Sequence, residues 1–283
     1  MKRLIMLLSI LSVSTAFSES TIAPVNSEAY GANIGWVDAR ADGTNGMIVG
    51  EFYCSGYLYS ANVGWIHLGD GSPMNGKNYA QNYASDYGVN HDGQGHLTGY
   101  AYGANIGWIN FEQTYGKPAI NLKTGELTGH IWSANMGWID LNSIRTTSLA
   151  PGNDNDFDGI PDAWEYRYVT FGRNALTVLS RNGDKDGDGV SDRDEYLADT
   201  NPKDADDQLM ITDLALTSFS QKLTWTSKPS RQYNIEYSSD LGTNWIQHTA
   251  TYPTGTTASQ SIKGGPTRDA RFYRIIARPP LSN

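Results

Sequence analysis

The stretch that decides the fold reads Ala29-Tyr30-Gly31-Ala32-Asn33-Ile34-Gly35-Trp36-Val37, and the chain returns to it three more times. The later copies run from Leu58 to Ile66, from Ala101 to Ile109 and from Ile131 to Ile139. Their tryptophans are separated by 29, 43 and 30 residues, and the longest interval contains an insertion around residues 72–87 that is rich in Asn, Tyr and Ser. Self-similarity at this period predicts a repeat architecture, in which neighbouring units bury their apolar faces against each other.

The repeats have the pattern of β-structure. Short alternating runs lie upstream of the third and fourth copies, and Asp92-Gly93 and Lys123-Thr124-Gly125 interrupt them as hairpin turns do. The Ala-Asn pair inside each copy indicates a further turn, because Asn tolerates the left-handed conformation. We therefore expect a β-repeat domain over residues 20–148, with about three strands per unit.

The repeated tryptophans admit two interpretations. The favoured one is structural: a large side chain fills the same core position in every unit. The alternative is a row of exposed rings that stack on sugars, with the four repeated asparagines bonding to hydroxyls. The candidate ligand-binding residues under this alternative are Trp36, Trp65, Trp108 and Trp138.

Two acidic loops stand 30 residues apart and share one spacing. Oxygen ligands are expected at loop positions 1, 3, 5, 7, 9 and 12, with the backbone carbonyl serving at position 7. In the first loop these positions hold Asp154, Asp156, Asp158, Ile160, Asp162 and Glu165. In the second they hold Asp184, Asp186, Asp188, Val190, Asp192 and Glu195.

The chemistry of calcium explains this spacing. Ca²⁺ takes six to eight oxygens, and a sharp bend at position 6, where Gly159 and Gly189 stand, brings alternate carboxylates together. The closing Glu returns from a following helical turn and can bind through both oxygens. A solvated acidic linker is the simpler reading, but such linkers do not place Gly and Glu at fixed offsets twice. Calcium is therefore the predicted cofactor of a connector over residues 153–207.

The two loops resemble two known families. Their spacing and closing Glu are similar to EF-hands, although Pro161 and Ser191 stand where EF-hands have an apolar residue. The motif Asp158-Gly159-Ile160-Pro161-Asp162 has a similar counterpart at residues 188–192. This motif more closely resembles the thrombospondin type 3-like loops of bacterial exported proteins. This resemblance implies calcium ligation by the loop residues named above.

The last segment, residues 208–283, is expected to form a small β-sandwich. Short strands are predicted over 209–216, 222–226, 233–237, 245–249 and 271–276. The pattern of Trp225, Tyr237, Trp245 and Phe272-Tyr273 resembles fibronectin type III-like domains of exported bacterial proteins. The predicted fold class is thus mainly β, in three domains.

The first 18 residues have the pattern of a secretory signal peptide, with Lys2 and Arg3 ahead of a short apolar run. Its removal leaves 19 basic against 30 acidic residues, a net charge of −11, which argues against nucleic acid as a partner. No transmembrane segment is expected, because the run is shorter than the roughly 20 residues that a span needs. The single cysteine, Cys54, is expected to be a small buried residue without a disulfide.

No catalytic motif stands out: the five histidines form no paired metal motif, and no nucleophile elbow or phosphate loop is present. The first interpretation is accordingly a secreted, non-catalytic, calcium-binding protein of structural or adhesive type, bound to a cell-surface protein or a glycan. The second is a glycan-binding module. The third is an extracellular glycoside hydrolase, whose two carboxylates would come from the acids outside the loops, among them Asp38, Glu51, Asp86, Glu112 and Asp140.

Overall fold

A computed structural model describes residues 20–282, with gaps at 43, 173, 218–219, 241–243 and 264–270. The expected signal peptide, residues 1–18, lies outside the described residues. The structure confirms a mainly β fold. Residues 20–150 contain fourteen strands: β1 (Ile22–Gly31), β2 (Gly35–Asp38), β3 (Ile48–Val49), β4 (Cys54–Ser55), β5 (Tyr57–Ser60), β6 (Gly64–His67), β7 (Val89–His91), β8 (Leu97–Gly103), β9 (Gly107–Asn110), β10 (Ala119–Ile120), β11 (Leu127–Thr128), β12 (His130–Ser133), β13 (Gly137–Asp140) and β14 (Ile144–Thr146).

Each nine-residue copy folds into one antiparallel hairpin, and the four hairpins close into a ring. The order around the ring is β1-β2-β5-β6-β8-β9-β12-β13, and β13 pairs back onto β1. The four junctions between neighbouring hairpins have the same strand register. The equivalent residue pairs, in order around the ring, are Asp38↔Tyr59, His67↔Tyr102, Asn110↔Trp132 and Asp140↔Tyr30. Closure leaves no free edge along the ring. The short pairs β3–β4, β7–β8 and β10–β11 supply the third strand that was expected of a unit.

The strand alternation places small and aliphatic side chains inside the ring and aromatic ones outside. Val37, Ile66, Ile109 and Ile139 are at most 1% exposed. The tryptophans that precede them in the chain, Trp36, Trp65, Trp108 and Trp138, are 59%, 43%, 46% and 44% exposed. The favoured core role of these tryptophans is therefore wrong. A ring of eight strands has room for β-branched residues, Ala, Ser and Gly in its interior, and four indoles would overfill it.

The turns at one end of the ring are joined by a circle of side-chain hydrogen bonds. Asn62 donates from Nδ2 to the Ile34 carbonyl at 2.9 Å, and the other three copies repeat this bond to the preceding copy. The remaining members are Asn105 to Val63 at 3.0 Å, Asn135 to Ile106 at 2.9 Å, and Asn33 to Met136 at 3.0 Å. The expected turns are confirmed, but the left-handed residue in each is the following glycine, for example Gly35 at φ +74°.

Two short helices follow, α1 (Asp162–Tyr168) and α2 (Asp192–Ala198), with a 3-10 turn at Ala175–Thr177 between them. Trp164 is fully buried, and Tyr168 and Leu197 pack beside it. The same cluster includes Phe52 and Tyr53 from the repeat region. The segment that carries the two acidic loops thus shares its core with the repeat region.

The C-terminal segment forms two three-stranded sheets. Their strands are β15 (Ile211–Leu216), β16 (Ser220–Thr226), β17 (Gln232–Ser238), β18 (Ile246–Thr251), β19 (Thr257–Lys263) and β20 (Phe272–Arg278). The orders are β15-β16-β19 and β18-β17-β20, and Trp225 and Ile235 bring one strand of each into a common core. Five of these strands were expected, and β19, which is polar in sequence, was missed. Among the described residues, no helix has the length and apolarity to span a bilayer.

Candidate calcium-binding loops

The first three acids of each loop converge. In the first loop, Asp154, Asp156 and Asp158 each offer a carboxylate oxygen, and these oxygens lie within 4.8 Å of one another. In the second loop, Asp184, Asp186 and Asp188 do the same. This is the arrangement that the sequence predicted for positions 1, 3 and 5, and it concentrates negative charge at one point.

Backbone hydrogen bonds hold both loops in one conformation. The position 1 carboxylate accepts from the N–H groups of positions 5 and 6, as in Asp154 with Gly159 at 3.0 Å and Asp184 with Gly189 at 3.0 Å. Gly159 and Gly189 have φ angles of +89° and +92°, which a residue with a Cβ rarely adopts. These hydrogen bonds and glycine conformations therefore define the shape of both loops without an ion.

The closing glutamates are the most constrained members of the set. Glu165 is 0% exposed and Glu195 is 1% exposed. Within the described part of the chain, neither carboxylate oxygen of Glu165 has a hydrogen-bond partner, and the same holds for Oε2 of Glu195. Buried polar atoms are nearly always satisfied, so these oxygens need an explanation.

Burial and the neighbouring Asp156 and Asp158 raise the pKa of Glu165 to about 9. Burial and the neighbouring Asp186 and Asp188 raise the pKa of Glu195 to about 8. A buried carboxylate beside several others strongly disfavours its charged form unless a cation joins the group. Among the residues that the structure describes, one oxygen of Asp158, one of Asp186 and one of Asp188 are also buried without a hydrogen-bond partner, so both loops contain such oxygens.

The position 9 acids have a different role from the other four. Asp162 accepts from the backbone N–H of Asn155 at 2.8 Å through one oxygen and from the Asn155 side chain through the other. Asp192 accepts from the backbone N–H groups of Lys185 at 3.0 Å and Ser180 at 2.9 Å. Each carboxylate thus closes its loop onto position 2, and neither joins the three-carboxylate cluster.

At position 7 the two loops differ in their surroundings. The Ile160 side chain is fully buried in the core beside Trp164, whereas the Val190 side chain is half-buried. Both residues donate their backbone N–H to the position 5 carboxylate, at 2.8 Å and 2.6 Å. The ligand role of their carbonyls stays a prediction.

Comparisons with family models, curated proteins and solved structures found no match. The resemblances to thrombospondin type 3-like loops, EF-hands and fibronectin type III-like domains therefore stay predictions.

Sequence reasoning missed a buried polar cluster directly behind α2. Arg231, which directly precedes β17 of the C-terminal segment, is 3% exposed and donates to the carbonyls of Tyr196 at 2.8 Å and Leu197 at 3.1 Å. The Tyr196 hydroxyl donates to Glu51 of the repeat domain at 2.8 Å. Glu51 also lies 3.7 Å from the Arg231 guanidinium. Tyr196 follows the closing Glu195 directly, so the second loop is one residue away from contacts with both other domains.

Asp199 ties the same junction to α1. It ends α2 in the left-handed conformation, at φ +57°, and accepts from the Trp164 indole N–H at 3.1 Å. Arg167 of α1 reaches the same oxygen at 3.4 Å, and the Ser230 hydroxyl bonds to the other oxygen. No sequence motif announces these contacts, because their members are at least 31 residues apart.

The acids considered for hydrolysis all have hydrogen-bond partners within the protein. Asp86 accepts from the backbone N–H groups of Met74 and Ala80, both at 3.1 Å, and is 3% exposed. Glu112 accepts from three successive N–H groups of its own turn, over residues 114–116. Asp38 and Asp140 each accept from the N–H two residues on, at 2.8 Å and 2.9 Å. Glu51 belongs to the cluster behind α2.

Cys54 occupies the same place as Leu97 and Leu127 in their units. All three are at most 1% exposed, and burial raises the pKa of the Cys54 thiol to about 12. The expectation of a small buried residue is confirmed.

Proposed function

We propose that this chain is a secreted calcium-binding protein of structural or adhesive type, in which two ions hold three domains in a fixed arrangement. The observation that carries the proposal is the Glu165 carboxylate, which is fully buried, without a partner, beside three converging aspartates. Secretion rests on the sequence pattern of residues 1–18.

The donor set fits calcium. Three aspartates with one oxygen each and a glutamate with two supply five of the six to eight oxygens that Ca²⁺ takes, and all are the hard oxygen ligands it prefers. No His or Cys lies among them, which disfavours zinc and copper. Extracellular modules of this kind need an affinity of only about 10⁻⁴–10⁻³ M.

The structural consequence of binding follows from the neighbours of the glutamates. Glu165 lies on α1 and Glu195 on α2, and both helices pack in the core shared with the repeat domain. Neutralising the repulsion at these two residues would favour the folded helices, and with them the contacts that Tyr196, Asp199 and Arg231 make between domains.

The test is a calorimetric calcium titration of the chelator-treated mature protein, with thermal melts in parallel. Two sites and a raised melting temperature are expected, and magnesium should substitute poorly, because it demands a smaller octahedral shell. Absence of binding at millimolar calcium would sink the proposal.

A further inference from the structure

The exposed aromatic side chains of the repeat domain pair across each hairpin. Tyr30 faces Trp36, Tyr59 faces Trp65, Tyr102 faces Trp108, and Trp132 faces Trp138. Exposed tryptophans in this number are unusual on a soluble surface, and contiguous patches of this kind mark binding sites.

The third hairpin differs from the others because the insertion forms a wall beside it. The insertion is a built structure: Tyr79 is 2% exposed, and its backbone is held at both N–H and carbonyl by the Asn90 side chain, at 2.8 Å and 2.9 Å. At its end, Tyr87 meets the Trp108 ring at 4.9 Å with the two planes at 87°.

A pocket of about 380 Å³ lies between the insertion and the third hairpin. Its floor and walls include Trp108, Tyr100, Tyr87 and Tyr83, and the amides of Gln81 and Asn82 complete it. Among the described residues, those that line the pocket include no charged side chain, although the chain as a whole is strongly acidic. The volume lies within the range of about 300–1,000 Å³ that small-molecule pockets occupy. An uncharged occupant is indicated.

The aromatic surface continues from the pocket to the second hairpin. From Trp108 the row passes through Tyr87, His67 and Tyr57 to Trp65, with successive ring centroids 4.9, 5.5, 4.8 and 5.7 Å apart. Burial lowers the pKa of His67, so this ring too is neutral at pH 7. A continuous row of aromatic rings suits an extended ligand with a repeating apolar face. A single small cation would need only one cage of aromatic rings.

We infer that the pocket and the aromatic row from Trp108 to Trp65 bind a neutral oligosaccharide. Sugar rings present C–H faces that stack on indole and phenol rings, and hydroxyl edges that bond to amides and to the tyrosine hydroxyls. Asn82 and Tyr83 line the pocket and are exposed, Tyr83 to 67%, so their polar groups are accessible to such hydroxyls. The sugar specificity comes from the pocket beside the third hairpin, and Trp36 and Trp138 lie outside both the pocket and the aromatic row.

The test uses the calcium-saturated mature protein and four neutral probes: cellohexaose, mannohexaose, xylohexaose and hexa-N-acetylchitohexaose. Titration calorimetry should show binding of at least one hexaose, and its monosaccharide should bind more weakly. Trp108→Ala and Tyr83→Ala should each weaken binding by at least about tenfold, the cost of removing a central aromatic anchor. Trp36→Ala, at the equivalent position of the first hairpin and 59% exposed, is the matched control and should bind as the wild type does.

Failure of all four hexaoses at millimolar concentration would overturn the inference. Equal effects of the Trp108 and Trp36 substitutions would also overturn it, since the pocket would then have no special role. Tighter binding of choline or of a polyproline peptide would assign the row to a different ligand class. These outcomes do not depend on the calcium proposal, which concerns residues outside the pocket.

Discussion

The Tyr196 hydroxyl donates a hydrogen bond to the Glu51 carboxylate at 2.8 Å across 145 residues of sequence. Tyr196 lies in α2 beside the calcium ligand candidate Glu195, and Glu51 lies between two short strands of the repeat domain. Burial raises the pKa of Glu51 above its ordinary value, even though Arg231 and the tyrosine hydroxyl favour its charged form. The bond therefore stabilises the charged form of the Glu51 carboxyl group, which burial alone would disfavour.

Replacing Tyr196 by Phe should destabilise the protein by about 1–3 kcal/mol, the cost of leaving a buried polar group without its partner. Chemical unfolding with calcium present measures this free energy. Tyr168→Phe is the matched control, because its hydroxyl makes only a long contact of 3.4 Å to the Thr200 carbonyl. A change of less than about 0.5 kcal/mol in Tyr196→Phe would show that the bond carries no part of the interdomain contact.

Replacing Glu165 by Gln should have opposite effects with and without calcium. The calcium-free protein should melt higher, by about 2–4 °C for each kcal/mol of relieved repulsion, because the neutral amide does not repel Asp156 and Asp158. Calcium titration should report one site in place of two, since the bidentate ligand of the first loop is lost. Glu195→Gln should act likewise on the second loop.

Glu28→Gln is the control for these variants, because Glu28 is exposed on β1 and its substitution makes the same charge change. It should leave both the stoichiometry and the melting temperatures of the wild type. Unchanged calcium affinity in both loop variants would contradict the ligand assignment.

His91 predicts a loss of stability below neutral pH. Its ring is 3% exposed, accepts from the Gly95 N–H at 3.1 Å and lies 2.9 Å from the Gly50 carbonyl, and burial lowers its pKa below 6.5. The unfolded chain binds a proton near pH 6.5 that the folded chain rejects, so the stability is complete above that pH and falls below it. The loss between pH 6.5 and pH 5.5 should be at most about 1.4 kcal/mol for this group, and His67, whose pKa burial also lowers, should add to it.

Urea unfolding at pH 7.5 and pH 5.5, with saturating calcium, measures this difference. His91→Asn, whose amide can replace the bond to the Gly50 carbonyl, should reduce it by about half. His248→Gln, at an exposed position of β18, is the control. An undiminished pH effect in His91→Asn would contradict the prediction.

Removing one hydrogen bond from the circle of asparagines should lower the free energy of unfolding by a modest amount that is similar at each position. Asn62→Asp removes the donor to the Ile34 carbonyl and should destabilise the protein by about 1 kcal/mol, the net value of one such hydrogen bond. The equivalent change at Asn105 should cost a similar amount, measured by urea unfolding at pH 7.5. Asn142→Asp, exposed after β13, is the control, and equal losses at all three positions would show that the circle contributes nothing.

Local sequence determined the features whose members are close together in the chain. The hairpins follow from nine residues each, and the convergence of Asp154, Asp156 and Asp158 follows from alternate positions in one tight loop, so both were predicted before the fold was known. The position 9 acids were less predictable. Whether Asp162 faces a cation or the Asn155 N–H depends on how the loop meets α1.

Only the tertiary structure decided which way the tryptophans face. A strand presents Trp36 and Val37 to opposite sides whatever the fold, and the closure of eight strands into a ring is what places Val37 inside and Trp36 in solvent. On the partner strand β1, the residues that face the interior, such as Ala29 and Gly31, are small. Small residues at these positions are the sequence pattern expected of a narrow interior. The cluster of Glu51, Tyr196, Asp199 and Arg231 and the pocket beside Trp108 were likewise beyond the sequence, because each joins segments whose proximity depends on long-range packing and not on any local spacing.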